Sequence, residues 1–139
     1  MSALENIRDV IFPQTFALLP DAMDSVPARA MLLAIGLQES RFEYRVQIGG
    51  PAHGFWQFEE GGGVLGVLNH SDTAAPIRKV CSLRGVHAMT RTCYNAIVND
   101  DVLACAFARL LLYTVNGALP RQDERQKGWE QYIDGWRPG

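Results

Sequence analysis

The sequence predicts a mainly helical protein folded as a single domain, and three observations carry that expectation. The 139 residues suffice for one hydrophobic core, with no internal repeat, low-complexity run or long linker to divide residues 1–139. Apolar side chains recur at helical spacing through most of the chain, most clearly at Leu103, Ala106, Phe107, Leu110 and Leu111. The one sharp change in composition is local: Gly49, Gly50, Pro51, Gly54, Gly61, Gly62 and Gly63 break regular structure. A small extended or hairpin segment is therefore expected around residues 49–60.

The elements follow in order. Leu4, Ile7, Ile11, Phe16, Leu18 and Leu19 give residues 3–18 a helical pattern that Pro13 interrupts, predicting two short pieces or a kink. Asp24 or Ser25 can cap a second helix over about 26–39, with Pro27 in its first turn. That helix is apolar almost all round, which predicts burial. Val64 to Leu68 can restart a helix, and Ser71, Asp72 or Thr73 can cap another that carries Ile77, Val80 and Leu83. Asp100-Asp101 precede a strong helix from Val102 to Thr114, which Gly117 and Pro120 end. A last helix over roughly 122–135 carries Trp129, Tyr132, Ile133 and Trp136.

Composition narrows the classes of function. The formal net charge is −2, so the whole-molecule field does not favour nucleic acid, and no nucleic-acid motif is present. Residues 73–99 hold Arg78, Lys79, Arg84 and Arg91 without an acidic residue, so a local basic face or a surface balanced by acidic neighbours are both open. The longest apolar run, Ala30 to Leu37, is too short to span a bilayer, and no membrane insertion is expected. The N-terminal residues lack the basic and apolar regions of a secretory signal. Cys81, Cys93 and Cys105 form no CxxC pair, and no metal or cofactor is expected. Cys105 sits in an apolar helical run and reads as a buried thiol; Cys81 and Cys93 could pair if their geometry allows it.

The stretch that carries chemistry is Gln38-Glu39-Ser40-Arg41-Phe42, followed by Gly50-Pro51-Ala52-His53-Gly54-Phe55-Trp56-Gln57-Phe58-Glu59. Glu39 ends a nearly apolar helix. Partial desolvation and the negative end of the helix dipole both favour its protonated form. A carboxylic acid kept neutral near neutral pH can protonate a glycosidic oxygen, a point for which lysozyme is the standard worked example. The glycines let a backbone approach a ligand closely. Gln57 can both donate to and accept from sugar groups, and Phe55 and Trp56 are candidate sugar-stacking rings. His53 is a candidate substrate contact. Glu39 could instead be a salt-bridge partner of Arg41 or Arg109.

At these residues the chain resembles the lysozyme-like lytic transglycosylases. Glu39-Ser40-x-Phe42, the glycine turn from Gly50 to Gly54, and Gln57 carry the likeness. With Trp129-x-x-Tyr132-x-x-x-Trp136-Arg137-Pro138-Gly139, it looks most like the small phage and prophage endolysins. The resemblance implies a lysozyme-like fold and cleavage of bacterial peptidoglycan between N-acetylmuramic acid and N-acetylglucosamine. It further implies Glu39 as catalytic acid, Gln57 lining the sugar cleft, a monomer, and a phage protein that is made in the host cytoplasm and acts on the wall or rides in the virion. The family's Ala-Tyr-Asn-Ala-Gly motif, whose tyrosine orients the acid, has no counterpart at Ala104 to Arg109. Tyr94 or Tyr113 could take its place, and Tyr113 is accordingly a candidate site residue beside Ser40, a helix-end hydrogen-bonding group.

A hydrolase needs a second carboxylate. If Phe55 to Glu59 is extended, Phe55, Gln57 and Glu59 share one face, so Glu59 could assist Glu39. Glu59 as a solvated or helix-capping acid is equally open. Trp129, Tyr132 and Trp136 lie at helical spacing and read as packing anchors. A glycan-binding or virion module without activity, or a helical interaction domain using the basic stretch, are the rival functions.

Overall fold

The computed structural model describes residues 1–138 and is mainly helical, with almost no strand. Gly139, the last residue of the terminal motif, lies outside the described residues. The chain begins with α1 (Ala3–Asn6), one wide π turn (Ile7–Ile11) and α2 (Phe12–Leu18), which run on without a break. The wide turn answers the proline expected to interrupt this segment. Phe12 N–H donates to the Ile7 carbonyl five residues back, just before Pro13, which has no N–H to offer.

α3 (Val26–Glu39) starts at Ser25, whose hydroxyl accepts from Ala28 N–H, with Pro27 in the first turn. It buries Ala28, Met31, Leu32, Ile35 and Gly36. The expectation of all-round burial is corrected here: Val26 and Leu37 remain 75% and 45% exposed. The outer face of α3 forms one wall of an apolar groove of about 600 Å³, whose other wall includes Trp129 and Tyr132. The residues are apolar on both sides because one side meets the core and the other meets a groove.

After the loop come α4 (Leu65–Asn69), α5 (Ala74–Leu83), α6 (Thr90–Ala96), α7 (Asp101–Thr114) and α8 (Arg125–Trp136). α6 carries no apolar stripe long enough to have been predicted. α7 is the central element: its residues from Val102 to Leu110 are all buried, and it packs on α2, α3, α4, α5 and α8. Its start is set by Asp100, whose carboxylate accepts from Leu103 N–H. Two of the four cations of residues 73–99 are balanced in space, Arg84 by Asp100 and Arg91 by Glu60, each at 2.8–2.9 Å. Among the described residues no helix is long and apolar enough to cross a membrane.

The glycine-rich segment is only partly the hairpin expected. His53 forms single antiparallel bridges with Val46 and Phe58, and His53 and Phe58 exchange backbone hydrogen bonds at 2.8 Å across a four-residue turn. Residues 55–59 are not an extended run. Gly54 has φ 78° and Gln57 φ 55°, so the chain doubles back and the alternation argument for Phe55, Gln57 and Glu59 does not hold.

Candidate active site

Glu39 sits at the last position of α3 and is half-buried. The helix stops there because Arg41 and Phe42 both take left-handed backbone conformations, with φ 56° and 55°. Such geometry costs a residue with a side chain roughly 1–2 kcal/mol and persists only where packing enforces it. The enforcement is visible. Phe42 is buried beneath α3, where a β-carbon on Gly36 would meet its ring at 2.1 Å. Its ring packs edge-on against Phe55 and Trp56.

Ser40 ties the helix end to the cleft loop. Its hydroxyl donates to the Phe55 carbonyl at 2.6 Å and accepts from Phe42 N–H at 3.1 Å. Ser40 is only 4% exposed. It therefore fills the helix-end role and is too enclosed to touch substrate.

Among the described residues the Glu39 carboxylate has one side-chain partner, the Tyr132 hydroxyl on α8, which donates to Oε2 at 2.5 Å. No ion pair among the described residues includes Glu39, so a bridge to Arg41 or Arg109 is not formed. Arg109 is buried elsewhere and donates to the Met23 carbonyl. Burial raises the Glu39 pKa above the usual carboxylate value, and the Tyr132 hydrogen bond, the smaller influence, lowers it. Burial and Glu39 together push the Tyr132 phenol up, so it stays a donor.

Tyr132 was expected to be a packing anchor, and neither Tyr94 nor Tyr113 takes the orienting place. Tyr94 donates to the Pro51 carbonyl and stacks on His53, and Tyr113 is 47% exposed on α7. A signal was present in the sequence. Trp129, Tyr132 and Trp136 make an aromatic row on one helix, and the one buried hydroxyl in such a row needs a polar partner. Trp136 completes the wall by donating its indole N–H to the Trp56 carbonyl at 2.9 Å.

Glu39 opens into a cavity of about 420 Å³ that Gln57, Glu59, Tyr44, Gln47 and Trp136 also line. A second cavity of about 750 Å³ continues from Gln57, Glu59, Trp136 and Arg137 past Gly61 to Gly63. The two share a wall and make an extended polar cleft. Gln57 is thus in the cleft, its backbone strained to φ 55° and its amide donating to the Gly54 carbonyl at 2.9 Å. Glu59 is exposed in the same cleft, although not by the route the sequence suggested.

Phe55 and Trp56 are corrected. They are 4% and 1% exposed, core residues rather than sugar platforms. Trp56 donates its indole N–H to the Leu32 carbonyl at 2.9 Å. The turn at Gly54 rotates both rings inward, where the hydrophobic gain is largest. His53 stacks on Tyr94 at 3.7 Å and its Nδ1 hydrogen-bonds the Tyr94 carbonyl, so it shapes the loop rather than lining the cavity with Glu39.

Comparison of the chain with protein-family models, with curated proteins and with solved structures finds no match.

Proposed function

We propose that this protein cleaves the glycan strands of bacterial peptidoglycan between N-acetylmuramic acid and N-acetylglucosamine, on a lysozyme-like helical scaffold, with Glu39 as the general acid. The observation that carries this reading is the Glu39–Tyr132 pair at the edge of an extended cleft. A half-buried carboxyl group with a raised pKa holds a proton that it can deliver to a glycosidic oxygen. Once the proton has left, the Tyr132 hydroxyl donates to the resulting carboxylate and fixes its direction. A cleft that extends from the acid past Gln57 and Glu59 to Gly61, Gly62 and Gly63 suits a polymer better than a small molecule.

Two outcomes of that first step are open to this geometry. Glu39 alone can take back the proton of the muramic 6-hydroxyl, closing a 1,6-anhydro ring. Alternatively Glu59, in the same cleft, can activate water, which gives hydrolysis. Glu59 is the observation that favours hydrolysis. Mass spectrometry of soluble products from purified peptidoglycan separates the routes. Reducing-end muropeptides, lost in Glu39→Gln and diminished in Glu59→Gln, are the expected result. Anhydro products with Glu59→Gln fully active would assign the chemistry to Glu39 alone. Glycan binding without any product from the native protein would replace catalysis by a binding role.

A further inference from the structure

α6 is a short helix that holds the cleft walls from behind. Its Tyr94 ring stacks on His53 at 3.7 Å with the planes 8° apart, and its hydroxyl donates to the Pro51 carbonyl. Arg91 pairs with Glu60 at 2.8 Å, next to Glu59. The turn glycine Gly54 lies under Ile97 at the end of α6, where a β-carbon would meet the Ile97 carbonyl at 3.3 Å. Both the His53 loop and the Glu60 segment therefore depend on where α6 sits.

α6 is joined to α5 by a pair of buried thiols. Cys81 on α5 and Cys93 on α6 are each 0% exposed, and their sulfurs lie 3.7 Å apart. A disulfide needs sulfurs about 2 Å apart, a difference that a modest side-chain rotation covers. The third cysteine, Cys105, is buried on α7, and burial pushes its thiol up to about 12.

We propose that Cys81 and Cys93 are a disulfide-forming pair, and that closing the bond locks α6, and through it the cleft loops, onto α5. The oxidant is a small-molecule or protein disulfide. The thiolate of one cysteine of the pair attacks one of its sulfurs and expels the first thiol. The other cysteine, deprotonated, then attacks the sulfur of the first in the mixed disulfide and expels the second thiol. Two electrons and two protons pass to the oxidant, which leaves as two thiols. Burial slows the reaction in the folded chain, so closure takes place during folding or on local opening of α6.

The test compares protein refolded in dithiothreitol with protein refolded in oxidised glutathione. Oxidised wild type is expected to lose two hydrogens by intact mass and to give one cross-linked peptide joining residues 81 and 93. One thiol, Cys105, should titrate after unfolding. Closing a ring this short should raise Tm by roughly 5–10 °C, reversibly with dithiothreitol. Hydrogen exchange should slow in residues 49–60 as well as in α6. Cys105→Ala should keep the shift, and Cys93→Ser should abolish it. Three titratable thiols after oxidation, a glutathione adduct without loss of two hydrogens, or a bond made by Cys105 would overturn the pairing. A closed bond that leaves exchange in residues 49–60 unchanged would overturn the coupling to the cleft. None of these readouts requires cleavage activity.

Discussion

At the scale of single residues, the proposed chemistry rests on one carboxyl group and one phenol. The Glu39 pKa is raised by burial and partly returned by Tyr132. An acid catalyst works in its protonated form, so activity should fall as pH rises through that raised value. Tyr132→Phe removes the influence that lowers it. The alkaline limb of the pH profile should then move to higher pH, while kcat on the acidic plateau drops by up to about 10²-fold because the carboxyl is no longer aimed. A merely structural role for Tyr132 would lower activity without moving the limb. The same shift has a consequence for stability. A carboxyl group whose pKa is higher folded than unfolded stabilises the protein below its unfolded pKa, and that contribution is lost as pH rises through the folded value. Thermal denaturation should therefore find Glu39→Gln more stable than wild type at neutral pH, with the gap closing toward pH ~4.

At the scale of elements, the end of α3 is built by a small residue and a large one together. Gly36, in the last turn of α3, costs up to roughly 1 kcal/mol of helix propensity against alanine. Ordinarily, Gly→Ala there would stabilise. Here the added β-carbon would strike the Phe42 ring at 2.1 Å. Gly36→Ala should destabilise by about 1–3 kcal/mol, as overpacking does, and should displace Glu39 with the helix end. Urea denaturation of the variant checks the sign, which propensity alone predicts wrongly.

At the scale of the whole molecule, the cleft is held by a chain of indole hydrogen bonds. Trp56 donates to Leu32 in α3, and Trp136 in α8 donates to the Trp56 carbonyl. The first helix with a role in the site, the cleft loop and the last helix thus share one core. Unfolding should be a single transition, with tryptophan fluorescence and far-ultraviolet circular dichroism giving coincident curves. Trp136→Phe keeps an aromatic ring but leaves the Trp56 carbonyl without its donor. The expected loss is about 1–3 kcal/mol, within the same single transition.

What could be read from the chain by itself was whatever lies close together along it. The helical class, the span of α3, the start of α7 at Asp100 and the candidacy of Glu39 and Gln57 all follow from spacing, caps and local composition, which act over a few residues. The direction of Phe55 and Trp56 did not, because two positive φ angles at Gly54 and Gln57 reverse the loop and no pattern of polarity records them. Helix α6 was likewise set by packing against its neighbours. The partner of Glu39 was beyond reach for the plainest reason. Tyr132 lies 93 residues away along the chain, and only the docking of α8 beside α3 converts an apparent packing residue into the donor that aims the acid.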